Sequence, residues 1–432
     1  MRGDWGVLRD AAASGFGGTL RRTDSSVTKV SFEFGRLQSV ESTASLNSTL
    51  QVIKDGRLGV SSSSKPGSDA DLLAKAADLA EFGPEVPYDV PAPAPPAAEL
   101  RSYDPELAEL SLEELIGRGE GLVTATRSLH PELQVMCVIE RSVSHPAIAN
   151  TKGLAADWRR STLSVILGVE LIEGRDMLQV WSWEVGTAAG LDLDGVQRRV
   201  AEDFAAARRI VPVAPGGYPV LFRPNAFVHL ISRLTACLDG GAVVRKVSPF
   251  AGKLGERLFS PQLTLVEDGL LAGGPGSRLY DDQGVACRRT VLIERGRLRE
   301  YLLDLDSAAR LGREPIGTGG IERARPNNLL VAPGETSHGD LLAGIKRGLV
   351  IDETIGAWAG NPYTGQVSGN IGLGFLVEDG KIVGRVKDCM FSLNALTDLG
   401  ENLVGLSRET RCMGGQMLPW ALIDDVTIAT RS

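Results

Sequence analysis

NPYTGQVSGNIGLGFLVEDGKIVGRVKD (residues 361–388) and, after a helix-like interval, GENLVGLSRETRCMGGQMLP (residues 400–419) decide how this chain reads. Glycines recur every few residues on alternating, strand-like sequence. Glycine weakens a strand interior, so its repeated use there marks places where another backbone comes close. Gly369, Gly372 and Gly374 alternate with Asn370, Ile371, Leu373 and Phe375. A loop that cradles phosphate needs a helix N-terminus behind it. Here more strand and an Asp379-Gly380 turn follow. The glycines therefore indicate close strand packing or an open groove, and nucleotide binding is rejected. One cysteine, Cys412, sits in the Gly-rich turn near the end of the stretch.

Working outward, the same short pattern recurs: an apolar pair, an acidic or basic residue, a turn with glycine, then strand again. It appears at Val52–Leu58, Leu265–Gly269, Leu292–Leu298 and Leu376–Ile382, and each copy predicts a two-stranded hairpin. Helical spacing takes over at Asp69–Phe82, with Leu72, Leu73, Ala76, Leu79 and Ala80 on one face and Ser68 or Asp69 as N-cap. Helices are also predicted over Ser111–Arg127, where Ser111 and Glu114 offer a capping box, over Asp192–Ile210, and over Pro224–Leu238. Strands are predicted within Phe16–Val60 and over Leu133–Val143, Ser161–Ile172 and Met177–Val185. Trp181 and Trp183 alternate on one of them, so both indoles share a face for core or subunit contact.

Two composition breaks organise the chain. Residues 84–98 are Pro-rich and read as a stiff linker or an arm laid over the surface; PVAPGGYP at 212–219 reads as the main boundary. The expected fold class is α+β. An N-terminal α/β-type region of strands and helices (1–213: a strand-hairpin and helix block 1–83, the linker 84–98, a middle block 99–213) precedes a domain rich in antiparallel β-sheet (214–432).

The 432 residues are 43% apolar and carry a formal net charge of −8 without a large basic block, which argues against nucleic acid or an anionic membrane as partner. Five dispersed cysteines without a Cys-x-x-Cys, no signal-peptide order at the start and no long apolar run predict a cytoplasmic protein. The four histidines, His130, His145, His229 and His338, form no two-histidine ligand spacing. His229, among apolar helix neighbours, reads as a packed residue. No Gly-x-Ser-x-Gly elbow occurs.

Six segments carry a resemblance that extends over nearly the whole chain: Asp239–Lys246 (DGGAVVRK), Gly252–Glu256 (GKLGE), Ser260–Thr264 (SPQLT), Asp281–Gly284 (DDQG), Arg325–Leu329 (RPNNL) and Cys412–Gln416 (CMGGQ). In this order they resemble the TldD/PmbA family, and specifically its PmbA/TldE-like branch. In the family's catalytic members the first helix of this domain carries His-Glu-x-x-x-His. Its histidines hold zinc, its glutamate is the general base, and a cysteine of the C-terminal Gly-rich turn completes the site. Imidazole and thiolate suit zinc, and a carboxylate takes the proton from bound water. Counted without gaps, the motif window falls on Ser232–Cys237. Ser232 stands for the first histidine, Arg233 for the glutamate and Cys237 for the second histidine; Cys412 alone matches a ligand position. Arginine cannot accept a proton at neutral pH.

The resemblance therefore implies a non-catalytic TldE/PmbA-type subunit of a cytoplasmic zinc metalloprotease acting on unfolded or short peptides. Its catalytic residues would be none, and its degenerate ligand positions would be Ser232, Cys237 and Cys412. No cofactor is expected in this chain, zinc is expected in a TldD-type partner, and peptide would bind as an added strand. Two alternatives stand beside it: a metallohydrolase in its own right using Cys412 and Cys237, and a homodimeric regulatory or binding protein without protease activity.

Overall fold

The computed structural model describes residues 5–430. The first half contains α1 (Gly6–Ala13), β1 (Gly17–Glu33), β2 (Arg36–Lys54), β3 (Arg57–Ser63), α2 (Asp69–Phe82), α3 (Pro105–Glu109), α4 (Leu112–Arg127), β4 (Gln134–Asn150), β5 (Ala155–Asp157), β6 (Arg160–Glu173), β7 (Asp176–Gly186) and α5 (Leu193–Ala207). Its strands form one antiparallel sheet in the order β3-β2-β1-β4-β6-β7, with β5 on β4. Because β1 pairs with β4, the sequence on both sides of the Pro-rich segment shares this sheet.

The second half contains β8 (Gly216–Phe222), α6 (Pro224–Leu238), α7 (Gly240–Val244), β9 (Leu265–Asp268), β10 (Arg289–Glu294), β11 (Arg297–Leu298), α8 (Leu305–Leu311), β12 (Leu329–Val331), α9 (His338–Ala343), β13 (Arg347–Ile355), β14 (Gln366–Glu378), β15 (Lys381–Arg385), β16 (Cys389–Asn394), α10 (Ala395–Glu401), β17 (Leu403–Cys412) and β18 (Gln416–Thr430). The order is β11-β10-β9-β12-β18-β16-β14-β13-β8, and a further β18–β8 pairing closes β18, β16, β14, β13 and β8 into a barrel. Most pairings are antiparallel; β8 with β13 and β12 with β18 are parallel. The fold is α+β, as the sequence predicts. No helix among the described residues is long and apolar enough to cross a membrane.

Local chemistry explains the elements. Asp55-Gly56, Arg295-Gly296 and Asp379-Gly380 all take positive φ at both positions, as a two-residue hairpin turn requires. The fourth expected hairpin, at Leu265–Gly269, does not form. β9 pairs instead with β10, reached only after residues 269–288. Gly269 serves close approach there, since a Cβ would lie 2.6 Å from the Cys287 side chain. On α2, Leu72, Ala76 and Ala80 are buried as expected, but Leu79 is exposed.

In β14, Leu373, Phe375 and Val377 pack into a core shared with α4, α5 and β4, while Val367, Ile371 and Leu376 face the core around α6. A strand buried on both faces reads as the near-continuous apolar run seen there. The halves are thus joined by apolar packing. Ion pairs add to it: Arg21 to Asp282 at 3.2 Å, Lys387 to Asp176 at 2.7 Å and Arg223 to Asp203 at 2.6 Å. The Pro-rich segment lies as an extended strap across both halves. Val86 donates its backbone N–H to Gly56, and the Tyr280 hydroxyl and Arg310 donate to the carbonyls of Ala94 and Glu85.

Candidate functional site

Helix α6 begins with Pro224 at its first position, where a missing N–H costs nothing. Ala226, Phe227, Leu230, Ile231, Leu234, Cys237 and Leu238 recur at helical spacing and are buried. That stripe fixes the rotation of the helix, and so the direction of the residues in the motif window. Ser232 is exposed, and its hydroxyl bonds back to the Val228 carbonyl at 2.7 Å. It opens on a cavity of 180 Å³ shared with Asp239, Arg323 and Gln416.

Arg233 is not the surface or interface residue that its charge suggests; it is buried at 4% exposure. Its guanidinium donates to the carbonyls of Ala357 (3.0 Å) and Ala359 (2.6 Å) in the loop between β13 and β14, and its Nε has no acceptor. That loop carries Trp358, 75% exposed, and follows Ile355 at the end of β13, 63% exposed. Cys237 is fully buried, with its Sγ 4.0 Å from the Pro362 carbonyl. Burial pushes its thiol up to about 12 despite the nearby Arg233 charge. His229, half-buried on the same helix, is held below the usual imidazole range by burial and then by Arg233.

Cys412 ends β17 opposite Met417, at a turn closed by mutual backbone bonds between Met413 and Gln416. Gly414 and Gly415 both take positive φ there, so the turn needs their freedom. The thiol is half-buried and raised by burial. No hydrogen bond joins it to Ser232, Arg233 or Cys237 among the described residues.

These residues do not fit a zinc ion. Zinc binds thiolate and neutral imidazole, and burial raises both the Cys237 and the Cys412 thiols. The guanidinium of Arg233 is committed to two carbonyls. No group of three His, Cys, Asp or Glu among the described residues is placed to share a cation.

The other family-like segments build a buried polar web. Glu267, fully buried, accepts from the backbone N–H of Asn327 (3.0 Å) and from its side-chain amide (2.6 Å). Burial raises its carboxyl to about 8. Asn328 donates to the Asp268 carbonyl and to Ser277, and Arg278 pairs with Asp282 at 2.7 Å. Asp281 accepts from the N–H groups of Gln283, Val285 and Gly319. Leu329 donates to the Gly415 carbonyl, so the web seats the Cys412 turn. Gly369 and Gly374 allow close packing within the barrel: added Cβ atoms would lie 2.6 Å from the Ile355 carbonyl and the Ile371 side chain.

Sequence reasoning missed the residues where the two halves meet: Arg199, Asp203, Arg223, Asp352 and Arg411. Their signal was weak, since charges such as Arg198-Arg199, Glu202-Asp203 and Asp352-Glu353 resemble ordinary solvated surface and their partners lie far away in the chain. The one local hint is Arg223, which stands directly before Pro224.

A family model described as the PmbA/TldA metallopeptidase C-terminal domain matches residues 215–430. The chain is 26% identical over 418 residues to the metalloprotease PmbA of Escherichia coli O157:H7, covering 93% of this chain and 89% of that protein. It is 24% identical over 417 residues to a metalloprotease of Methanothermobacter thermautotrophicus, covering 91% and 88%. The solved structure of TldE from Thermococcus kodakarensis superposes with a TM-score of 0.90 over 98% of this chain and 99% of that one, at 23% identity, a likeness of fold.

Proposed function

Because this chain belongs to the PmbA/TldD metallopeptidase family, we propose that it is the non-catalytic, TldE/PmbA-type member of a peptide-cleaving pair. Its partner would be a TldD-type chain that carries His-Glu-x-x-x-His and the zinc. The observation that carries this reading is Arg233. Where hydrolysis needs a carboxylate base, this chain has a buried cation engaged by two loop carbonyls, and no proton can be taken there. The chain then contributes shape and contact surface rather than bond cleavage.

The peptide would add as a strand to an open sheet edge. β3 covers β2 only from Ser48 onward, so among the described residues Arg36 to Asn47 pair with β1 as their single strand partner. Exposed Ile355, ending β13, and Trp358, on the loop that Arg233 holds, supply apolar surface for a protein contact next to α6. Metal analysis of the chain purified alone and with such a partner tests the reading, with zinc expected only in the pair.

A further inference from the structure

We propose that the cavity beside Ser232 binds a small free α-amino acid as its zwitterion. The proposal does not depend on the subunit reading above. The cavity has a volume of 180 Å³. At about 30 Å³ for each water-sized group, it has room for a molecule of about six non-hydrogen atoms, the size of glycine or alanine. It lies between the last turns of α6, the loop segment 323–326 before β12, and Gln416 at the start of β18.

Ser232, Thr235 and Asp239 reach the cavity from α6 and the residue that ends it, three and four positions apart and so on one face. Both hydroxyls direct their protons to the helix itself. Ser232 donates to the Val228 carbonyl at 2.7 Å and Thr235 to the Ile231 carbonyl at 2.9 Å. They therefore offer a ligand only lone pairs. Asp239 is 9% exposed, and one of its oxygens accepts the Gly241 N–H at 3.2 Å. Its other oxygen makes no hydrogen bond or ion pair among the described residues. Burial raises its carboxyl despite that N–H and the charges of Arg245 and Arg323. Gln416 adds a buried side-chain oxygen that has no donor. Buried acceptors left unpaired cost free energy. An ammonium group brings three donors and a positive charge to them at once.

The loop segment carries the opposite charge. The Arg323 side chain makes no hydrogen bond or ion pair among the described residues, and Arg325 pairs with Asp282 at 3.5 Å. Asp239 and Arg323 thus balance within the lining. A ligand with one charge alone leaves one of them unmatched, whereas a zwitterion sets its ammonium against Asp239 and its carboxylate against a guanidinium fork. Leu302, Ala324 and Leu329 complete the lining and suit a methyl side chain. A large side chain exceeds the space.

Calorimetric titration of the full chain with alanine, alaninamide, N-acetylalanine and phenylalanine tests this. Alanine is expected to bind at least about tenfold more tightly than either capped form, the worth of one charge-assisted hydrogen bond, and more tightly than phenylalanine. Thr235→Val keeps the shape, removes one acceptor and should weaken alanine severalfold. Arg323→Gln, which removes no hydrogen bond within the protein, should abolish the advantage of alanine over alaninamide while the variant melts as the parent does. No binding of alanine at millimolar concentration, equal binding of alanine and its capped forms, tighter binding of phenylalanine, or an Arg323→Gln variant that keeps the parent's preference would each overturn the proposal. Zinc content and partner capture, which bear on the subunit reading, are unaffected by any of these outcomes.

Discussion

Arg233 anchors the loop between β13 and β14 to α6 through the carbonyls of Ala357 and Ala359. Hydrogen bonds from a charged donor contribute about 1.5–3 kcal/mol each. Arg233→Met should therefore lower the unfolding free energy by about 2–4 kcal/mol. Amide exchange in residues 355–361 should also accelerate, which hydrogen exchange measured by mass spectrometry would detect; unchanged exchange there would remove the anchoring role. Glu353 offers a separate test through pH. It lies at a bulge in β13, makes no hydrogen bond or ion pair among the described residues, and is raised to about 8, first by burial and then by the charges of Asp352 and Asp203. A raised carboxyl keeps its proton in the folded chain where the unfolded chain releases it, so stability falls as pH rises from about 4.3 to about 8. Glu353→Gln removes that loss. Relative to the parent, the variant should gain on the order of 3 kcal/mol between pH 5 and pH 8. Denaturant titrations giving the same difference at both pH values would show that Glu353 is not held neutral.

At the scale of elements, β3 and α2 meet at a single glycine. A Cβ on Gly59 would lie 1.9 Å from the Ala76 carbonyl and 2.6 Å from the Ala80 amide, both backbone atoms of a packed helix. Gly59→Ala should cost about 1–3 kcal/mol, the usual effect of overfilling a tight contact, seen as a lower thermal midpoint; an unchanged midpoint would mean that the helix moves freely. Much of this level was legible from residue order. The helices at 69–82 and 224–238 have the predicted bounds, and the Ser111–Glu114 capping box forms, with bonds of 3.2 Å and 2.7 Å. These depend on neighbours within one turn. The Leu265–Gly269 segment misled because the same short pattern is used for two purposes. At 55–56 glycine relieves a turn, and at 269 it admits Cys287 from eighteen residues away. Closure of β8 onto β18 and the burial of Arg233 were illegible for the same reason, since both are set by partners more than a hundred residues distant.

Across the whole molecule, the Gly-rich C-terminal strands form a barrel that shares a core with the helices of the first half, and the Pro-rich segment straps both. The turn carrying Cys412 is seated on the buried Glu267–Asn327–Asn328 web through the Leu329 to Gly415 backbone bond. A scaffold of this kind keeps the shape of a hydrolase domain while α6 presents serine, arginine and cysteine. The central claim is that such a chain completes no zinc site of its own. Zinc content, native mass and peptide hydrolysis, measured together on the chain purified alone and co-purified with a His-Glu-x-x-x-His partner, test it most directly. The account predicts no stoichiometric zinc and no hydrolysis for the chain alone, with one zinc and activity for the pair. Stoichiometric zinc in the isolated chain, lost together with peptide cleavage on Cys412→Ser, would contradict it.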